Sequence, residues 1–212
     1  MKKIFTILTV VTLTTTMAFA QTQWGATAGL NMANVSGSDL SDAFEMQAAI
    51  NGMDVNVPEM RLGIRLGISN SKELSDVMTL NSGIIYSVKG YSGSMGIPGA
   101  MLDFDQSFNY IELPVNLAFS VADQFSLMGG FYSAFLVGTT LTVDGQDEDV
   151  DIDDFTTIDV GIGLGAQFSV NDDISINAGY QMGLIALDED GETDSKISNL
   201  LIGMTYNFGG GY

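Results

Sequence analysis

The sequence predicts an all-β fold, an eight-stranded antiparallel up-and-down transmembrane β-barrel, and three observations lead to this prediction. Apolar and polar residues alternate in eight segments, the pattern of strands with one apolar face. Short and long connections alternate between these segments, as they do in barrels that span an outer membrane. Mean hydropathy is high, at +0.24, yet no apolar run after the first twenty residues is long enough for a spanning helix.

Each alternating segment is about as long as the ~9–11 residues that a tilted membrane-spanning strand needs. The segments cover residues 24–32, 61–69, 78–89, 110–119, 125–137, 158–168, 174–184 and 199–208. In the second segment, RLGIRLGIS, the apolar face consists of Leu62, Ile64, Leu66 and Ile68. Arg61 and Arg65 fall on the polar face. An even number of strands places both termini at the same end of the barrel.

The connections differ in length at the two ends of the predicted barrel. Three are short, near residues 70–76, 121–124 and 170–173, and four are long, near residues 34–59, 90–109, 139–154 and 187–196. Short turns are typical of the periplasmic end and long loops of the extracellular end. Both termini are therefore predicted to be periplasmic. In the first long loop we expect a short helix after Ser41 or Asp42, which either caps the barrel or binds a partner.

A soluble lipocalin-like barrel is the alternative, because it also has eight strands and is exported. Two features favour the membrane barrel. The polar face is rich in glycine and small residues, which suits the narrow interior of eight strands. Aromatic residues also gather on the apolar face near the short turns, where an interfacial girdle is expected. The predicted membrane-interface aromatics are Trp24, Phe119, Phe125, Phe168, Tyr206 and Phe208.

The membrane orientation turns the arginines inward, where an unpaired charge is costly. We predict a lumenal charge network of Arg61, Arg65, Glu112 and Asp159, which share the inward parity. Lys89 is also inward, nearer the outer rim. The expected hydrogen-bonding neighbours are Tyr110, Asn116, Tyr132, Asn177, Gln181 and Asn199. Such a network would fill the barrel with side chains rather than leave it open.

The first twenty residues have the pattern of a secretory signal peptide. Lys2 and Lys3 precede an apolar stretch, and Ala18-Phe19-Ala20 is a small-x-small cleavage site. A membrane-anchoring helix is the alternative, but the run is short for a bilayer. We therefore predict a signal peptide at residues 1–20 and a barrel domain at residues 21–212.

Composition excludes several classes of function. Without the signal peptide, five basic residues remain against 26 acidic ones, a formal charge of −21, so nucleic acid is not an expected partner. The chain has no His and no Cys, which removes the commonest general base, the catalytic thiol and the best transition-metal ligands. A carboxylate-pair hydrolase is the remaining enzymatic alternative. We predict no enzymatic activity and no cofactor.

Residues 144–154, DGQDEDVDIDD, invite a calcium interpretation. Asp147, Asp149 and Asp151 match the opening of an EF-hand loop. The rest of that motif is absent, because Ile152 stands where glycine is needed and Ile158 where the bidentate glutamate is needed. We predict no specific metal site, and expect a solvated loop that loosely collects divalent cations.

Several segments together resemble the PorT-like outer-membrane β-barrel family of Bacteroidota, over essentially the whole mature chain. They are ATAGLNMAN at 26–34, IIYSVKG at 84–90, YIELPVNL at 110–117, residues 155–165, and the final Tyr206-Asn207-Phe208. The resemblance implies the barrel fold, an outer-membrane location in a Gram-negative bacterium, and outer-membrane lipid around it. It also implies insertion by the barrel-assembly machinery, since Gly203, Tyr206 and Phe208 are similar to a C-terminal assembly signal; an edge strand with interfacial aromatics is the simpler explanation.

The predicted function is that of a small integral outer-membrane barrel with a filled lumen, in a structural or interaction role through its long extracellular loops. Two alternatives stay open: a narrow passive channel for small solutes, and a component of a protein-secretion apparatus. The corresponding partner would be an extracellular or secretion-system protein.

Overall fold

The computed structural model describes residues 22–97, 99–150, 152, 155–187 and 194–208. The predicted signal peptide lies outside the described residues. The elements in chain order are β1 (Thr22–Ser36), α1 (Ser38–Asn51), β2 (Asp54–Ser75), β3 (Met78–Ile97), β4 (Ala100–Ala122), β5 (Phe125–Val143), β6 (Gln146–Asp149), β7 (Ile158–Ser169), β8 (Ile174–Gly183) and β9 (Lys196–Asn207).

Eight of these strands close into a ring, in which every neighbouring pair is antiparallel. Within the ring each strand pairs with the next one along the chain. The short β6 is not part of the ring, so the ring neighbour of β5 is β7. The ring closes where β1 meets β9, from Gly25 opposite Asn207 to Ser36 opposite Lys196. The predicted eight-stranded antiparallel barrel is confirmed.

The apolar face of the ring points away from its interior. On β2, Leu62, Ile64, Leu66 and Ile68 are 48–62% exposed, whereas Gly63 between them is buried. Outward apolar and inward polar residues are the arrangement of a barrel in lipid, where every backbone group must be paired within the ring. In the described part of the chain, no helix has the length and apolarity to cross a bilayer.

The strands on one side are much longer than predicted. β2 to β5 contain 22, 20, 23 and 19 residues, so the predicted long loop at residues 90–109 is mostly paired strand. Its pairing continues from Tyr91 opposite Gln106 to Ile97 opposite Ala100. Alternation fades in this region because a sheet that projects into water does not need one apolar face.

A projecting structure, here called the head, consists of residues 38–60, 91–107 and 139–149. It contains α1, the extended ends of β2 to β5, and β6, a short strand that pairs only with β5. The predicted helix is present but begins at Ser38 rather than after Ser41. It ends at Asn51 and is capped by Gly52, whose left-handed conformation (φ +64°) allows the Met53 N–H to donate to the Ala48 carbonyl at 2.9 Å.

Candidate functional site

Glu112 on β4 is fully buried in the lumen and is the residue to which Arg65 and Lys89 connect. Its Oε1 accepts hydrogen bonds from Arg65 Nη2 on β2 at 3.1 Å and from Gln181 Nε2 on β8 at 2.9 Å. Its Oε2 forms an ion pair with Lys89 Nζ on β3 at 3.0 Å. A carboxylate from one wall is thus tied to three other strands, including one across the barrel.

A second carboxylate balances the remaining positive charge. Asp159 on β7 is nearly buried and accepts a hydrogen bond from Tyr132 Oη at 2.8 Å. The Lys89 ammonium lies 4.2 Å from the centre of the Tyr132 ring and 5.7 Å from that of Tyr110, within reach of cation–π attraction. Two cations and two carboxylates therefore share one buried layer, called here the charge layer, without a net formal charge.

A polar ladder adjoins the charge layer. Asn31 Nδ2 on β1 donates to Ser87 Oγ on β3 at 2.8 Å, and Asn199 Nδ2 on β9 donates to Asn31 Oδ1 at 3.2 Å. Asn199 was among the expected neighbours, whereas Asn31 and Ser87 were not named. Their signal in the sequence is their position on the polar face of alternating strands.

The structure separates Arg61 from the other predicted members of the network. Arg61 pairs with Asp105 on β4 rather than with Glu112. Asp105 stands seven positions before Glu112 on the same strand, about 23 Å away at the rise of a β-strand. The second cation beside Glu112, besides Arg65, is Lys89, which the sequence placed nearer the rim. Inward parity alone does not fix the height of a side chain in the barrel.

Apolar side chains close the lumen on the head side of the charge layer. Phe108 is fully buried, and its ring lies 5.0 Å from that of Phe155 and 6.4 Å from that of Tyr91. Val35, Leu136 and Ile197 belong to the same cluster, against which Leu187 also packs. Within the described residues, these side chains form an apolar plug between the charge layer and the head.

A cavity of about 140 Å³ lies on the other side of the charge layer. Its polar lining includes Arg65, Gln181, Asn116 and Asn177, so two further expected neighbours are placed in the lumen. Toward the short turns it joins a wider space of about 700 Å³, with Ser71, Asn81, Gln167, Ser175 and Asn207 lining both. We call these two spaces the vestibule; it is blind, because the charge layer and plug close its inner end.

The six predicted interface aromatics lie near the short-turn end. Phe119 and Phe125 flank the turn between β4 and β5, and Phe125 is directly opposite Phe168 in the sheet. All except Trp24, which is half-buried, are 39–49% exposed. The Phe208 N–H donates to the Trp24 carbonyl at 2.7 Å. Their role at a membrane interface stays a prediction.

The acidic segment is partly a hairpin. β5 turns into β6 through Asp144 and Gly145, which both have positive φ angles, and Thr142 Oγ1 donates to Asp147 Oδ1 at 2.7 Å. Asp151, Asp153 and Asp154 lie outside the described residues. Within the described ranges no group of three or more acidic residues is arranged to hold a metal ion.

The chain is similar to a known family and to several solved structures. Residues 19–189 match the family model described as outer membrane protein beta-barrel domain. The crystal structure of neisserial surface protein A aligns with a TM-score of 0.54 at 16% identity, covering 87% of this chain and 97% of that one. The structure of Ail, the attachment invasion locus protein of Yersinia pestis, gives a TM-score of 0.46 at 18% identity, with 89% and 99% covered. A search of curated proteins gives no significant match.

The charge layer predicts different effects for the two arginines. Arg65→Leu removes a partner of a fully buried carboxylate and should lower the free energy of unfolding by about 2 kcal/mol, less than for a lone pair because Lys89 remains. The matched variant Arg61→Leu breaks a pair whose carboxylate is 40% exposed and should cost about 0–1 kcal/mol. Urea unfolding in lipid vesicles, followed by the fluorescence of Trp24, the single tryptophan, measures both. Equal losses would contradict the special role of Arg65.

Two lumenal glycines provide a second matched pair. A Cβ on Gly161 would overlap the Tyr132 ring and the Met182 carbonyl. On Gly163 it would meet the flexible Gln181 side chain at 3.3 Å and the Tyr180 carbonyl at an ordinary contact distance of 3.6 Å. Gly161→Ala should therefore displace Tyr132 from Asp159 and destabilise the barrel by about 1–3 kcal/mol, and Gly163→Ala by less than about 1 kcal/mol. The same urea titration compares them, and a reversed order would show that the Tyr132 ring is not held tightly.

Proposed function

Because the chain belongs to the outer membrane protein β-barrel domain family, we propose that it is a non-conducting outer-membrane barrel that displays its head outside the cell. In this function the barrel is an anchor and the head carries a structural or interaction role. The observation that carries the proposal is the closed lumen, in which Glu112 is fully buried between Lys89 and Arg65. Neither carboxylate of the charge layer is free for catalysis, since each is held by a cation or a hydroxyl group.

Orientation follows from the lengths of the connections. The head lies at the end with long connections, which in bacterial outer-membrane barrels is extracellular. The proposal therefore puts both termini in the periplasm, after export by the predicted signal peptide and insertion by the barrel-assembly machinery. Membership of the PorT-like subgroup from Bacteroidota is part of the same proposal and has the sequence segments described above as its support.

A narrow channel is the second candidate function, and the vestibule is the observation that favours it. Polar residues line it from the short turns up to Arg65 and Gln181, so water and small solutes could enter half of the barrel. A channel would require the charge layer and the apolar plug to open together. Charged groups released from that layer would lose their partners in a low-dielectric interior, which is costly.

Conductance distinguishes the anchor from the channel. The purified barrel in a planar lipid bilayer should give no discrete current steps, because the charge layer and the apolar plug around Phe108 block the lumen. A porin with a water-filled lumen, reconstituted in the same way, is the positive control. Reproducible steps that scale with the amount of protein would overturn the anchor and favour the channel.

Orientation is tested by labelling single cysteines, since the chain contains none. Glu148→Cys lies on β6 in the head and Asp172→Cys lies in a short turn, and both native side chains are exposed acids. A maleimide that cannot cross membranes should label the first variant in intact cells and the second only after lysis. Labelling of Asp172→Cys alone in intact cells would show that the barrel is inserted the other way round.

A further inference from the structure

The helix α1 has two apolar faces, and the part of the chain that the structure describes covers one of them. Phe44 and Ala48 are one turn apart and face the head: the Phe44 ring stacks on Phe104 of β4 at 5.5 Å, and Ala48 is 2% exposed. Met46 and Ile50 are also one turn apart, but they project from the opposite side because they are shifted by two residues. A helix of which one side already packs on a sheet has no structural need for a second apolar side.

The second face is unusually exposed. Met46 is 65% and Ile50 78% exposed, and Met53, just after the helix, is 40% exposed. Ala43, Met46 and Ile50 follow the i, i+3, i+7 spacing of one helix face, and Met53 lies just beyond the end of the helix. These four residues are here called the outer stripe. They project from the head, not from the barrel wall, so their exposure is not explained by the membrane-spanning band.

The charge around the outer stripe has a single sign. Asp42 and Glu45 lie on α1 beside it, and Asp54 and Glu59 follow on β2. The sequence from Gly37 to Met60 contains no Lys and no Arg. An apolar stripe beside carboxylates is complementary to a surface with an apolar centre and a basic rim.

From this arrangement we propose that the outer stripe of α1 is a docking surface for a basic amphipathic segment of another protein, packed helix against helix. The inference rests on the proposed function, because it assigns the interaction role of that function to α1 in the head. The partner would place its apolar side chains on Met46 and Ile50 and its Lys or Arg side chains beside Asp42 and Glu45. Methionine suits such a surface, because its flexible side chain adapts to different partners.

Two other occupants fit less well. A second copy of this chain, related by a two-fold axis, would bring Asp42 and Glu45 against the same carboxylates, and such like-charge contacts are unfavourable. The outer leaflet presents anionic groups, which the acidic segment from Gly37 to Met60 repels. The carboxylates that repel a second copy and the outer leaflet attract a basic segment.

The test uses the full mature chain in nanodiscs of phosphatidylcholine and a fluorescent synthetic helix of about 18 leucine and lysine residues, with leucines on one face. Anisotropy should show saturable binding beyond that of empty discs. The double variant Met46→Ser/Ile50→Ser should weaken it on the order of tenfold or more, as expected for central apolar contacts. Asp42→Asn/Glu45→Gln should weaken binding and reduce its dependence on salt.

Matched controls use the opposite end of the barrel. Val77→Ser/Val121→Ser replaces two side chains that are 56% and 59% exposed, and Asp123→Asn/Asp172→Asn removes two exposed carboxylates; neither pair should change the affinity. Binding that is unaffected by Met46→Ser/Ile50→Ser, or no saturable binding at all, would overturn the proposal. Quenching of a probe at Ile50→Cys by labelled lipid would assign the stripe to the membrane, and concentration-dependent dimers of discs would assign it to a second copy.

This outcome is separable from that of the proposed function. Nanodiscs expose both faces of the barrel, so peptide binding does not depend on orientation in the cell or on conductance. If the peptide binds but Asp172→Cys is labelled in intact cells, the docking surface is supported and the proposed orientation is wrong, so the surface faces the periplasm. Loss of docking with the expected labelling of Glu148→Cys would leave the anchor in place and remove only this partner.

Discussion

The pairing of β1 with β9 is the constraint on which the rest of the structure depends. Within hydrocarbon an unpaired peptide group has no water to bond with, so a sheet is stable there only if its two edges meet. The match from Gly25 opposite Asn207 to Ser36 opposite Lys196 joins those edges. Once the ring contains eight strands, its interior is narrow, and side chains rather than solvent fill it. The small residues on the inward face and the compact charge layer both follow from this limit.

The interior is divided into three levels by chemistry. Apolar rings around Phe108 close the head side, the charge layer lies beneath them, and the vestibule reaches the short turns. A buried charge is tolerated when it is paired and bonded, and Glu112 meets that condition through contacts with three different strands. Because those contacts cross the lumen, they also hold opposite walls of the barrel at a fixed distance. The contacts of Glu112 therefore both stabilise the barrel and help to close its lumen.

The sequence predicted the fold and the parity of the lumenal residues, but it did not predict their heights. Alternation is a local property of each strand, and it assigned Arg65, Glu112 and Asp159 to the inward face; in the structure Glu112 and Asp159 are buried. Which cation meets Glu112 depends on the offset between β2, β3 and β4, and alternation contains no information about that offset. For this reason Arg61 was grouped with Glu112 while its partner is Asp105, and the central place of Lys89 was missed. The extensions of β2 to β5 escaped prediction for a related reason, since strands surrounded by water need no apolar face.

The seal of the barrel and its outer surface are made by different residues. Glu112, Lys89 and Arg65 lie in the wall of the ring, whereas α1 and the hairpin turns at Gly99 and Gly145 lie in the head. Substitutions on α1 and in these turns therefore leave the contacts of Glu112 in place. If the proposed function is correct, the residues displayed on α1 can vary while the residues that close the barrel stay constant, so the recognition surface and the envelope barrier are free to evolve separately.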